Sequence, residues 1–349
     1  MDNACRLEQA SALPPAFYVD PRWYAHEQQN IFRKSWQCVA HVGDLANPGD
    51  HVVCEVAGQP LILVTQSDGN VQAFHNVCRH RAGPLATCNG KDASRLRCLY
   101  HGWQYGLDGQ LLTAPEMSEA EGFDRTDIAL PNVMTQVWEG LVFVALVSDP
   151  PPLEDVLAGI RERILPNQLT TLKFHKRDTY HVACNWKVYV DNYLEGYHLP
   201  YVHPALTHVV DYADYTSELA DWYSLQVSPI ADADGPYGEG TAFYYFIYPN
   251  LMLNVVPGRL QLNRVIPTGQ DSCTVEFDWY FADDPAVIAR AADDLAFTHV
   301  VQSADAAICQ HVQKGLTSGG YLPGRLSPKR EAGVWHFQNL LRRAYAHDA

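Results

Sequence analysis

Missing from this 349-residue chain is any run near the roughly 20 apolar residues that a membrane-spanning helix needs. Its first residues, Met1-Asp2-Asn3-Ala4-Cys5, have neither a basic stretch nor an apolar core, so no signal peptide is expected. Basic residues are scarce: 25 Lys and Arg stand against 40 Asp and Glu, a formal charge of −15, which argues against nucleic acid or an anionic membrane as a partner. No G-x-G-x-x-G follows a strand-like pattern, which removes the usual dinucleotide cradle. Internal repeats and low-complexity segments are absent. Nine cysteines, an odd number, fit free thiols in a reducing cytoplasm and not a disulfide framework. The length suffices for two compact domains, each with its own core.

What is present centres on residues 78–101. Cys78-Arg79-His80 is followed, after seventeen residues, by Cys98-Leu99-Tyr100-His101. Two short loops thus deliver one thiolate and one imidazole each, the ligand inventory of a Rieske [2Fe–2S] centre: two Cys on one iron, two neutral His on the other. The loop residues Arg81-Ala82-Gly83-Pro84 and Gly102-Trp103 resemble the cluster-covering loops of that signature. A Cys₂His₂ zinc site is the alternative, but such sites group Cys with Cys and His with His, with two or more residues between partners.

Around these loops the pattern is of short alternating strands: His51–Val56, Pro60–Gln66, Val71–Asn76, Tyr105–Leu111 and one buried strand over Val137–Val147. An amphipathic helix is expected before them, from Trp23 to Trp36. Residues 38–149 are therefore assigned to an all-β cluster domain, with 1–37 and 150–349 forming an α+β catalytic domain. In the latter, Lys173–Cys184, Ala242–Tyr248, Leu251–Val256, Leu260–Ile266 and Thr274–Phe281 read as antiparallel strands. A helix is expected from Trp186 to His198 and a long one over Pro285–Leu316. That order suggests a curved sheet wrapped round the long helix and enclosing a pocket.

His198 and His203 stand five residues apart, about 140° apart on a regular helix. They converge on one ion only if the helix breaks between them, for which Pro200 supplies a reason. Two His and a carboxylate with open positions make the facial triad of non-haem Fe(II) oxygenases. The segment from Trp186-Lys187 to His203-Pro204 resembles the mononuclear iron motif of Rieske non-haem iron ring-hydroxylating oxygenases, catalytic subunit, and the resemblance covers nearly the whole chain. It implies a helix-grip (SRPBCC-like) catalytic domain, with Asp305 of the C-terminal helix as third iron ligand. Asp293 and Asp294 are alternatives that read as solvated helix charges. The resemblance further implies that Glu195, where most members have Asp, joins the cluster of one subunit to the iron of its neighbour in a homotrimer. Asp191, on the same helix face as Glu195 if the helix continues, is the rival for that role.

The chemistry implied is reductive activation of O₂, with electrons passing from the cluster through His101, Glu195 and His198 to Fe(II). NAD(P)H electrons must then arrive through a separate reductase, with or without a ferredoxin. The motif around Glu195 most resembles the branch that oxidises carnitine, choline and betaines. A Tyr-rich strand fits a quaternary ammonium cage, and period two puts Tyr244, Phe246 and Tyr248 on one face. An aromatic-ring substrate is the alternative. A Rieske electron-transfer protein without oxygenase activity is a third reading, which some 200 further residues with His198, His203 and Asp305 argue against.

Overall fold

The short alternating segments pair antiparallel, which satisfies their backbone hydrogen bonds while successive side chains point to opposite faces. In the computed structural model, which describes residues 6–346, the first group comprises β1 (Gln37–His41), β2 (His51–Val56), β3 (Gln59–Thr65), β4 (Val71–His75), β5 (Leu96–Arg97), β6 (Gln104–Tyr105), β7 (Leu111–Thr113), β8 (Asn132–Trp138) and β9 (Leu141–Ala145). Six of these form one sheet in the order β1-β9-β8-β4-β3-β2, and β5-β6-β7 form a small second sheet. Alternation along β3 and β4 sends side chains to two cores. Leu61, Leu63 and Ala73 pack with Ala40, Val52, Val142 and Val144. Ile62, Val64 and Phe74 pack instead with Cys78, Leu85, Cys98, Trp103 and Tyr105, which seats the two Cys loops on the sheet.

The single strand expected over Val137–Val147 is a hairpin. Glu139 and Gly140 take positive φ, 47° and 83°, and turn the chain between β8 and β9. The single N-terminal helix is also broken: Pro21–Glu27 is α-helical, and Gln28–Phe32 continues as a π-helical turn that buries Ile31 and Phe32. Residues 28–153 make up this compact unit. Within it the Trp36 indole donates to the Pro151 carbonyl at 2.7 Å.

The other unit comprises the chain up to Glu27 and from Glu154 onward. Its sheet has seven antiparallel strands, β10 (Lys173–Val182), β11 (Thr216–Leu219), β12 (Tyr223–Pro229), β13 (Thr241–Ile247), β14 (Leu251–Val256), β15 (Arg259–Gly269) and β16 (Ser272–Phe281), in the order β10-β16-β15-β14-β13-β12-β11. The long helix, Pro285–Thr317, begins where Asp284 accepts hydrogen bonds from the Ala286 and Val287 amides. It packs on β10, β16 and the helix Trp186–Tyr193. This is the α+β helix-grip arrangement expected. Two features lacked a sequence signal: the β11–β12 hairpin and a terminal helix, Ala332–Ala346. Gly333 lets that helix approach closely, since a Cβ there would lie 2.5 Å from the Leu194 carbonyl. No helix among the described residues is long and apolar enough to cross a membrane.

Candidate active site

The two Cys loops are held by their own backbone bonds. Cys78 N–H donates to Gly83 O (2.9 Å), Cys98 N–H to Trp103 O (2.8 Å), and Leu99 N–H ties one loop to the other at Pro84 O (3.0 Å). Asn76 braces the first loop, accepting from Leu85 N–H and donating to Ala86 O. Both thiols are buried while His80 and His101 are exposed. The rings of His80 and His101 lie 4.7 Å apart, and His80 stacks flat on Trp103 at 4.7 Å. Gly83 has no room for a side chain, since a Cβ would come within 3.0 Å of Cys98 Sγ.

Burial pushes the Cys78 thiol up, against the hydrogen bond from Tyr105. Holding Cys78 as a thiolate therefore calls for a cation beside it. Desolvation, then the neighbouring His80 and Arg81, keeps His101 below the ordinary imidazole value, the neutral form a metal needs. Two buried sulfurs and two exposed imidazoles are the donor set that would hold a Rieske [2Fe–2S] cluster. Tyr105 went unrecognised as a site residue. Its hydroxyl lies 3.1 Å from Cys78 Sγ and accepts from Arg79 N–H, contacts that a strand pattern cannot reveal.

The second group gathers His198, His203 and Asp305, with ligand atoms all within 4.8 Å of one another. His198 Nε2 and His203 Nε2 lie 3.6 Å and 2.7 Å from Asp305 Oδ1. Adjacent ligands held about 2.1 Å from a metal sit about 3 Å apart, so the set fits one ion. Asn192 Nδ2 donates to Asp305 Oδ1 at 2.8 Å and orients the carboxylate.

The route by which the histidines meet differs from expectation. The helix stops at Tyr193, before both of them, and Pro200 does not break it. His198 and His203 instead cap a single turn, Leu199–Val202, in which Pro200 occupies a position where its missing N–H costs nothing. One turn brings the two rings together at 5.2 Å.

Glu195 lies in the irregular segment between these helices and not on a shared helix face. One of its oxygens accepts from the Tyr197 and His198 amides, and the other lies 2.6 Å from His198 Nδ1. With Nδ1 committed to Glu195, His198 presents Nε2 to the metal position. Burial alone would lower the His198 pKa, but the Glu195 hydrogen bond and charge, with Asp305, raise it above the ordinary value.

Asp191 points elsewhere. Its half-buried carboxylate accepts from Tyr18 OH (2.6 Å) and Gln338 Nε2 (3.1 Å), whereas Glu195 is the acid hydrogen-bonded to His198. The helix ends between the two acids, which removes the face they were expected to share. Asp293 is exposed, as expected of a solvated charge. Asp294 is not: it is buried and paired with Arg259 at 3.0 Å.

Beside the triad lies a cavity of about 110 Å³ lined by Glu195, His198, His203 and Asp305. Tyr189, Tyr193, Tyr215, Tyr237, Tyr244 and Phe277 supply six rings to its wall. Tyr215 and Tyr244 stack, with centroids 6.5 Å apart. Of the three aromatics expected there, Tyr244, Phe246 and Tyr248, only Tyr244 lines the cavity. Phe246 and Tyr248 share its face but are covered by the terminal helix, packing on Phe337 at 5.2 and 6.5 Å. That helix was not anticipated, so the strand's face was legible and its cover was not.

Comparison with known proteins places both units. The family model described as the Rieske [2Fe-2S] domain matches residues 35–133. The model for the ring hydroxylating alpha subunit (catalytic domain) matches 169–229 and 213–347. The chain is 32% identical over 361 residues to the carnitine monooxygenase oxygenase subunit of Escherichia coli (strain K12), covering 99% of this chain and 96% of that protein. It is also 32% identical over 362 residues to chloroplastic choline monooxygenase of Arabidopsis thaliana, covering 97% and 84%. A solved quaternary ammonium Rieske monooxygenase in complex with L-carnitine superposes with a TM-score of 0.86 at 29% identity, over 97% of each chain. Naphthalene 1,2-dioxygenase superposes with a TM-score of 0.78 at 18% identity, over 99% of this chain and 94% of the other, a likeness of fold alone.

Proposed function

The chain belongs to the Rieske ring-hydroxylating oxygenases, and from that premise we propose that it oxidises a small quaternary ammonium compound. As a terminal oxygenase it works with a Rieske [2Fe–2S] cluster and a mononuclear iron, which when bound supply single electrons and the reductive activation of O₂.

The observation that carries the substrate class is the cavity wall. Tyr189, Tyr193 and Tyr215 donate their hydroxyls to Gln302, Asn254 and Gln226. Their rings therefore offer faces, not hydrogen-bond donors, beside the carboxylates of Glu195 and Asp305. A trimethylammonium head has no N–H to satisfy, and each ring face contributes about 0.5–2 kcal/mol to holding it. Relatives named for carnitine and choline support the same class.

The site roles follow from the donor sets. Cys78, His80, Cys98 and His101 hold the cluster, and His198, His203 and Asp305 hold the iron. Glu195 fixes the His198 tautomer and links it to His101 of a neighbouring copy. The assembly is a homotrimer served by a separate reductase, with or without a ferredoxin. A solved relative described for inter-subunit electron transfer supports this arrangement. A reducing cytoplasm suits the free thiols found at every cysteine of the described residues.

Oxygen uptake coupled to NADH, with a suitable reductase and a panel of choline, carnitine, betaines and benzoates, tests the substrate class. Turnover of at least one ammonium compound is expected. Turnover of benzoates with no response to any ammonium compound would overturn it.

A further inference from the structure

Tyr212 and Tyr215 stand three residues apart, yet only Tyr215 lines the cavity. What separates them is Arg330, in the turn that precedes the terminal helix. Its guanidinium carbon lies 4.1 Å from the centroid of the Tyr212 ring, so that ring face already carries a cation. Nη1 of the same group donates to the Tyr212 and Tyr215 carbonyls, at 3.3 and 3.4 Å. One side chain thus fastens both ends of residues 212–215, just ahead of β11.

The turn that carries Arg330 is itself fixed. The Arg330 and Glu331 amides donate to the Ser327 carbonyl at 3.2 and 2.9 Å, and a Glu331 carboxylate oxygen accepts from Ser327 N–H in return. Two residues further on, Gly333 sits against the Leu194 carbonyl. The clamp is therefore anchored to the backbone beside Glu195.

Held in this way, the Tyr215 ring has two contacts. It stacks on Tyr244, with the ring planes at 24°. It also closes on Gly196, where a Cβ would meet ring carbons at 3.0 and 3.2 Å. Its hydroxyl is committed to Gln226 Oε1 at 3.0 Å, which leaves the aromatic surface as what the side chain offers a ligand.

We propose that Arg330, which does not line the cavity, is the positioning residue that holds the Tyr215 ring against a bound ammonium head, and that it thereby sets the preference for a cation over a neutral group of the same shape. This rests on the ammonium class proposed above and deepens it. Arg330 has the wrong sign of charge to attract such a substrate, so its contribution runs through the ring.

The test is anaerobic calorimetric titration of the holoenzyme, with iron counted in every sample. The ligands are choline and glycine betaine, each paired with its tert-butyl analogue, in which carbon replaces the ammonium nitrogen. The ratio of affinities within a pair reads the head group alone. In Arg330→Met the preference for the ammonium member should fall about two- to thirtyfold, the range that one ring face supplies. Charge alone predicts the opposite, since removing one cation favours the binding of another. Tyr215→Leu should reduce the preference at least as far, and in that background Arg330→Met should change it no further. Gly196→Ala displaces the ring from the other side and should lower the same preference, which serves if Arg330→Met does not fold. An unchanged or raised preference in iron-replete Arg330→Met, or an additive loss in the double variant, would overturn the inference while leaving the ammonium class standing. Binding of a benzoate with no response to either ammonium compound would remove that class, and the inference with it.

Discussion

Removing the Glu27 carboxylate should be the most damaging single change away from the metal centres. Glu27 and Lys187 are both fully buried, with Nζ 2.6 Å from Oε1. The same carboxylate accepts from the Trp186 indole and the Tyr345 hydroxyl, each at 2.7 Å. Glu27→Leu leaves an unpaired ammonium and two unpaired donors. Breaking a buried pair by removing one partner costs about 3–5 kcal/mol, and each orphaned donor up to about 1–3 kcal/mol more before relaxation. The lysine contribution has a ceiling. Burial already lowers the Lys187 pKa, opposed by Glu27, so without Glu27 the amine sheds its proton on folding. Holding it neutral at pH 7 against an ordinary value of about 10.4 costs about 4.6 kcal/mol.

The folded variant then binds one proton fewer than the unfolded chain. Its stability should rise by about 1.4 kcal/mol per unit between pH 7 and 10, more steeply than in the wild type, where Glu27 opposes the lowering of the Lys187 pKa. Urea unfolding followed by tryptophan fluorescence measures both the loss, expected near 5 kcal/mol, and the slope. Glu27→Leu with Lys187→Met should recover most of the stability. A loss under about 1 kcal/mol, a flat pH profile, or a double variant no better than the single would refute the reasoning. Because Lys187 lies in the helix that leads to Glu195 and His198, iron content should fall along with stability.

At the metal centres, His203→Ala and Asp305→Ala should each lose the mononuclear iron and turnover while the cluster spectrum stays intact, as read by metal analysis and visible absorption. Cys78→Ser or His101→Ala should abolish the low-average g resonance of the reduced cluster. A colourless zinc protein would sink that assignment. Glu195→Gln should keep both metals and normal cluster reduction but slow cluster reoxidation in stopped flow, with Glu195→Asp intermediate. Reoxidation at the wild-type rate in Glu195→Gln would exclude the link. Burial pushes the Asp191 pKa up to about 7, against hydrogen bonds from Tyr18 and Gln338. Its protonated form stabilises the fold below about pH 4, and that contribution of at most about 4 kcal/mol is lost as pH rises towards 7. Asp191→Asn should flatten the urea midpoint across that window, and an unaltered slope would contradict the shift.

Spacing along the chain was enough for the chemistry of the ligands. Cys78 with His80 and Cys98 with His101 sit in loops closed by local backbone bonds, so their meeting is a short-range property that sequence carries. Short β-branched and apolar runs bounded by turn residues likewise located β2, β14 and most other strands, because turn chemistry is a local property of the chain. Everything that depended on what covers a face was decided by tertiary structure. Tyr244, Phe246 and Tyr248 share a face by register, yet the terminal helix plugs two of them with Phe337 and leaves one at the cavity. Asp293 and Asp294 are neighbours of identical type, and only the position of Arg259 on β15 makes the second a buried ion pair. Helix periodicity alone does not separate Asp191 from Glu195, which share a face only if the helix is continuous. The helix ends between them, one carboxylate turns to Tyr18 and Gln338, and the other to His198. Local spacing records which groups a chain can offer, whereas burial and pairing are set by elements distant in sequence, from 35 residues away for Arg259 and Asp294 to 173 for Tyr18 and Asp191.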